Sequence, residues 1–302
     1  IVSSEGAPSF WSRLSPPPPL SKEEFPMDIQ LIAMDLDGTA LLDDHRSFSP
    51  RLTAALLEAH RRGIAIAPVT GRQFVLLPPP LLAPPVWANL VVLCNGAEVR
   101  SLVNGQLLSS HYMRPEALFP LMELAEQFAV PMELSAGGTL YLTQADWDRQ
   151  LGMAHLAFHK TVLAQRGRAV EDLKAFSLSS GLEFEKVNLP WIPRELQLEV
   201  EQALSRLSLS CVWSSPWSME ITHPEATKAG GMLQICRLLG MDPQCTLALG
   251  DSGNDCSMLQ AAGLGVAMGN APPEVQRIAQ AVTKTNLEDG AAIAIEQYAL
   301  HK

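Results

Sequence analysis

The run IQLIAMD (Ile29–Asp35) is continuously apolar until it ends on a carboxylate. A strand apolar at every position, not at alternate ones, is covered on both faces, as a parallel strand in an α/β sheet is. The pattern returns at IAIAPV (Ile64–Val69), NLVVLC (Asn89–Cys94), TLALG (Thr246–Gly250) and GLGVAM (Gly263–Met268), with a last strand expected near Ala281–Lys284. Helical segments fall between them. Ser49 can cap one, Pro50 fits its first position, Leu52, Ala55, Leu56 and Ala59 share a face, and Gly63 closes it. A second covers Lys228–Leu239 and ends at Gly240, a short one runs to Gly263, and Asn270 and Pro272 start another. Pro78, Pro79 and Pro80 keep any helix after the second strand short. The alternation predicts an α/β fold, doubly wound around a mostly parallel, Rossmann-like sheet.

Two stretches break the rhythm. Over 113–214, strand-like segments (Met132–Leu134, Thr139–Thr143, Glu183–Asn188, Cys211–Ser214) alternate with helical ones (Pro115–Phe128, Pro193–Leu207), and none of these strands ends on a carboxylate. The expected organisation is a discontinuous core of 27–112 and 215–302 with an α+β domain, 113–214, inserted into it. Residues 1–26 hold four consecutive prolines, Pro16 to Pro19, which favour an extended segment outside any helix or sheet interior. They are expected to be a disordered or leader-like tail, with the folded protein beginning near Met27.

Charge and composition exclude some partners. The chain carries 22 Lys+Arg against 32 Asp+Glu, a net charge of −10. Nucleic-acid binding needs a basic surface that displaces counterions, so none is expected. No run of about eighteen uncharged apolar residues suggests a membrane span. The five cysteines (Cys94, Cys211, Cys236, Cys245, Cys256) include no C-x-x-C pair and are odd in number. Reduced thiols and a cytoplasmic location are expected.

Ligands of doubly wound sheets bind at the carboxyl ends of the strands, and polar clusters stand there. Asp35-Leu36-Asp37-Gly38-Thr39 offers two carboxylates at i and i+2 and a glycine that permits a tight turn. One carboxylate could attack an electrophile while the other moves protons; an acidic turn that merely ends a strand would read the same way. Thr70-Gly71 offers a hydroxyl and two N–H groups suited to phosphate oxygens, though an ordinary turn has the same look. Lys228 opens a helix, where a cation opposes the helix dipole; a solvated lysine is the plain alternative. Gly250-Asp251-Ser252-Gly253-Asn254-Asp255 places two carboxylates and an amide in a turn, a hard-cation donor set without the Glu of a calcium loop.

Taken in order, an acidic pair, a hydroxyl, a lysine and a second acidic pair are specific. The segments LIAMDLDGTALLDD, IAPVTGR, CNGAEV, MEITHPEATKAGGM, LALGDSGNDCSML, GVAMGNAPPEV and VTKTNLEDG resemble the haloacid dehalogenase superfamily, and most closely its Cof-type phosphatases, from Met27 to about residue 297. In such enzymes a cap domain is inserted between the second and third motifs. The resemblance implies Asp35 as the nucleophile that forms an aspartyl-phosphate and Asp37 as the acid/base. It implies Leu36, Thr70, Gly71, Lys228 and Asn254 as phosphate-binding positions. It implies Mg²⁺ held by Asp35, the backbone carbonyl of Asp37 and Asp251, with Asp255 supporting the metal or Lys228. The implied substrate is a small phosphorylated metabolite such as a sugar phosphate, a nucleotide or pyridoxal phosphate, and the implied protein a monomer or homodimer. Alternatives are a phosphomutase of the same fold, a non-catalytic phospho-ligand-binding protein and a receiver-like domain. The large insertion and the Asp35/Asp37 pair weigh against the last.

Other features invite plainer readings. Trp213 and Trp217 are expected to pack rather than stack on substrate. Gly263-Leu264-Gly265 follows a helix instead of opening one, so it is no dinucleotide fingerprint. His155 and His159 share a zinc-like spacing but are read as a helix face. Cys256 reads as a buried thiol, and Gly137-Gly138 as a loop that could lie over the active site.

Overall fold

A computed structural model describes residues 28–83, 87–153 and 157–301. The expected tail 1–26, the start at Met27 and His155 lie outside the described residues. The chain forms two compact units, one built from 28–68, 78–89 and 232–301, the other from 69–77 and 90–231.

The first unit is a five-stranded parallel sheet in the order Ala281–Val282, Leu264–Ala267, Thr246–Gly250, Leu31–Met34, Ala65–Pro68. The apolar runs fill it. Leu31, Ile32, Ala33 and Met34 are all buried, as are Leu247, Ala248 and Leu249 beside them. Pro68 has no N–H to donate and sits at the last position of an edge strand, where none is needed. The helix Pro50–Arg61 forms as its sequence dictates. The Ser49 hydroxyl accepts from Leu52 N–H at 3.0 Å, Pro50 occupies the first turn, and Leu52, Ala55, Leu56 and Ala59 are buried.

The second unit holds a six-stranded sheet in the order Ser210–Trp213, Met219–Thr222, Lys186–Leu189, Glu133–Ala136, Thr139–Thr143, Gly167–Val170. Only the last pair is parallel. Its core joins Met113, Leu118, Leu121, Leu134, Phe184 and Val187, and Trp213 packs against that core. The helices Gln144–Leu151 and Leu173–Ser179 and the strand Met219–Thr222 were not among the elements expected from sequence.

The strand expected at Asn89–Cys94 forms at Leu90–Leu93, but not as another parallel strand of the main sheet. It pairs antiparallel with Glu98–Ser101, and that strand with Leu107–Ser110, in a separate three-stranded sheet; only Val69↔Val92 adds a parallel bridge. The short link makes the first of these pairs antiparallel. Parallel crossovers need a dozen or more residues, whereas four separate Leu90–Leu93 from Glu98–Ser101. Cys94, Asn95 and Gly96 have φ of 49°, 57° and 108°, turning the chain back on itself. At Gly96 a Cβ would strike the Thr227 backbone, so only glycine fits. All five cysteines are free thiols. Among the described residues no helix is long and apolar enough to cross a membrane.

Candidate active site

Strand register brings the two acidic clusters of the first unit together. Leu31 pairs with Thr246 and Met34 with Leu249, so the two central strands end side by side. Asp35 donates its N–H to Leu249 O at 2.9 Å, and Asp251 follows directly after Gly250 on the neighbouring strand. Asp35 is only 4% exposed, so its carboxylate has left most of its water behind.

The chain then turns through Leu36–Ala40, with Gly38 at φ 77°. A side chain there would collide with the Asp251 carboxylate. Thr39 Oγ1 donates to Asp251 Oδ1 at 2.9 Å. Asn270 Nδ2 donates to Gly38 O at 2.9 Å and approaches Asp251 Oδ2 at 3.5 Å. Asp255 is fully buried, and its Oδ2 accepts from the N–H groups of Asp251 (3.0 Å) and Ser252 (2.9 Å). With Ser252 it completes a capping box on the turn Gly253–Asp255. Ser252 Oγ also donates to Asn254 Oδ1 at 2.6 Å. Asp37 Oδ1 lies 2.8 Å from His45 Nδ1. Cys256 is buried, its thiol toward Ser252 O.

One carboxylate oxygen from each of Asp35, Asp251 and Asp255 lies within 4.8 Å of the others. Two such charges at 4.8 Å repel by roughly 3.5 kcal/mol at an effective dielectric of about 20. A divalent cation would reverse the sign of that interaction. An all-oxygen, all-carboxylate donor set suits a hard one, so these residues fit Mg²⁺.

In the second unit, Thr70 and Lys228 are each 1% exposed. Thr70 N–H donates to Val92 O, and Asn95 N–H returns to Thr70 O, both at 3.0 Å. Thr70 Oγ1 accepts from Arg72 N–H at 3.2 Å. Gly96 abuts Thr227, the residue before Lys228, so one hairpin turn braces both the Thr70 loop and the start of the helix Lys228–Leu239. Beneath Gly71 lies a buried ion pair. Lys186 Nζ donates to Gly71 O at 3.0 Å and to Glu220, whose Oε2 accepts from Asn95 Nδ2 at 2.5 Å. Burial alone would lower the Lys186 pKa, but the Glu220 carboxylate more than offsets it and the net shift is upward. Nearby, burial and the Glu185 carboxylate push the Cys94 thiol well up, so it stays protonated.

A profile of the haloacid dehalogenase-like hydrolases matches residues 32–295. The chain belongs to this family. It is 28% identical over 283 residues to the 5-amino-6-(5-phospho-D-ribitylamino)uracil phosphatase YcsE of Bacillus subtilis, covering 93% of this chain and 100% of that one. It is 25% identical over 283 residues to the enzyme of the same name, YbjI, of Escherichia coli, covering 91% and 98%. A solved haloacid dehalogenase-like hydrolase from B. subtilis matches with a TM-score of 0.74 and 28% identity over 89% of this chain and 99% of the other.

In this hydrolase, then, Asp35, Asp251 and Asp255 are brought together, while Thr70, Gly71 and Lys228 share the second unit. Sequence reasoning passed over Thr39, Ser252 and Asn270. All three stand inside the quoted motifs DLDGTA, GDSGND and GVAMGN, so the signal was membership of those motifs, not any chemistry of their own.

Proposed function

We propose that this haloacid dehalogenase-like hydrolase cleaves phosphate from a small phosphorylated metabolite through an aspartyl-phosphate on Asp35. The chain is a phosphoric monoester hydrolase. The observation that carries the mechanism is the convergence of Asp35, Asp251 and Asp255 at the carboxyl edge of a parallel sheet.

Asp35, buried at the end of its strand, would attack phosphorus with one carboxylate oxygen. The P–O bond to the leaving group breaks as the Asp35–phosphorus bond forms. Asp37, on the more open side of the turn and paired with His45, would give the leaving oxygen a proton. The same carboxylate, now unprotonated, would take a proton from the water that hydrolyses the aspartyl-phosphate. Asp251 and Asp35, with the carbonyl of Asp37, would hold Mg²⁺, which when bound offsets the repulsion between a carboxylate and a phosphate dianion. Asp255 would keep the Asp251 loop in place through its two backbone hydrogen bonds. Leu36, Thr70, Gly71, Lys228 and Asn254 are assigned to the phosphoryl oxygens, with Lys228 supplying positive charge as negative charge redistributes. The two relatives named as ribitylaminouracil phosphatases favour a substrate whose phosphate sits on a polyol or sugar chain.

The test is phosphate release from a panel of sugar phosphates, nucleotides, pyridoxal phosphate and 5-amino-6-(5-phospho-D-ribitylamino)uracil. It is run with Mg²⁺ and with Asp35→Asn as the blank. Turnover by the wild type alone is expected. Equal turnover by Asp35→Asn would remove the nucleophile assignment, and no turnover on any substrate would favour a binding protein.

A further inference from the structure

Three potential metal ligands of the second unit, outside the acidic cluster, converge from two loops. His111 directly follows the strand Leu107–Ser110, and His223 and Glu225 are the first and third residues after Met219–Thr222. His111 Nδ1 stands 3.3 Å from Glu225 Oε2, and the two imidazole centroids are 5.7 Å apart with planes 20° from parallel. One ligand atom from each of the three residues lies within 4.8 Å of the others. Both loops are held by backbone bonds. His111 N–H donates to Ala97 O at 2.9 Å, Ala226 N–H to His223 O at 2.8 Å, and Thr222 Oγ1 to Ala226 O at 2.7 Å.

We propose that His111, His223 and Glu225 form a second metal site that takes a borderline transition-metal dication of the zinc, nickel or cobalt class. The chemistry selects the class. Imidazole nitrogen suits these ions and not Mg²⁺, which prefers oxygen. The spacing agrees. Two ligands about 2.05 Å from a tetrahedral zinc stand about 3.3 Å apart, and the His111–Glu225 separation has that value. His223 completes the set by turning about its χ2, a soft torsion, which exchanges the long Glu225 N–H to Nδ1 contact of 3.3 Å for the ion, and neither ring is buried. Three protein ligands leave further positions to water, as in open zinc sites. Because Glu225 lies three residues before Lys228, an ion here ties the loop leading into that helix to the end of the neighbouring three-stranded sheet.

The full chain, labelled with ¹⁵N and held in excess Mg²⁺ to occupy the acidic cluster, is titrated with Zn²⁺. The imidazole nitrogens are followed by long-range ¹H–¹⁵N NMR. Selective, saturable shifts of two histidines, lost together in His111→Ala and in His223→Ala, are expected. Outer-shell groups alone are worth about 10- to 100-fold in affinity, so each ligand variant should weaken zinc by more than about tenfold. His60→Ala, on the exposed face of the helix Pro50–Arg61, should leave affinity unchanged. Zinc that leaves both ring spectra unmoved, or that binds His111→Ala as tightly as the wild type, overturns the proposal and leaves His111–Glu225 a plain surface ion pair. Because the readout is the histidine rings and not turnover, failure here is separable from failure of the phosphatase reading.

Discussion

His159 gives a prediction whose sign and size both follow from the structure. Glu133 is fully buried, and its Oε1 lies 2.7 Å from His159 Nε2 while its Oε2 accepts from Asn188 Nδ2 at 3.0 Å. Burial by itself would raise the Glu133 pKa and lower that of His159. The attraction between the two charges more than offsets burial, so Glu133 moves below its ordinary 4.5 and His159 above its ordinary 6.5. The stability from the raised histidine is therefore complete below pH 6.5 and is lost as pH rises through its folded value. The stability from the lowered carboxylate is complete above pH 4.5 and is lost as pH falls through its folded value. The pair thus counts fully between pH 4.5 and 6.5. His159→Gln keeps a donor toward Glu133 but cannot carry charge. A hydrogen bond to a charged partner is worth about 1.5–3 kcal/mol and a neutral one about 0.5–1.5. Because His159 is about a quarter exposed, the lower half of each range applies, about 2 against about 1 kcal/mol, so the variant should lose about 1 kcal/mol near pH 5.5 and close to nothing near pH 9. Urea unfolding of both proteins across that range, compared as differences so that the other histidines cancel, measures it. A loss that stays constant with pH would refute the charged pair.

Four further outcomes follow from the packing. Gly38→Ala drives a methyl into Asp251 at a positive φ; phosphate release should fall at least about tenfold, by the sensitivity of a site to displacements near 1 Å, and kinetics at saturating Mg²⁺ checks it. Lys186→Met strands the Glu220 carboxylate and should cost about 3–5 kcal/mol, much of it recovered in Lys186→Met/Glu220→Gln, as a double-mutant cycle in urea would read. Ser49→Ala removes the cap on Pro50–Arg61 and should cost about 1 kcal/mol by the same assay, with turnover unchanged. Chelation followed by Mg²⁺ should abolish and restore turnover if Asp35 and Asp251 hold the ion, and activity that survives exhaustive chelation would count against that role.

Much of this was legible in the sequence because each signal was local. The helix Lys228–Leu239 and the strands Thr139–Thr143 and Thr246–Gly250 form at the residues the pattern marks, since apolar period and punctuation agree there. The run Asn89–Cys94 misled because a buried antiparallel strand is as continuously apolar as a parallel one; the Asn95-Gly96 turn was the better witness. Asp35 and Asp251 were readable as strand-terminal carboxylates. That Asp37 would face His45 was not, because that contact depends on a left-handed residue at position 45. His159 read as a helix face because its partner Glu133 lies 26 positions earlier, beyond any periodicity.

The strand Leu31–Met34 sits in mid-sheet, between Ala65–Pro68 and Thr246–Gly250. On a ribosome adding about 5–20 residues each second, the 212 positions from Thr39 to Asp251 take roughly 10–40 s to appear. Throughout that interval one flank of an entirely apolar strand has no partner, and Asp35 stands without the Asp251 and Asp255 carboxylates. The nascent chain is therefore most vulnerable to aggregation just when it is least able to be an enzyme. Arrival of Thr246–Gly250 ends both conditions in one docking event.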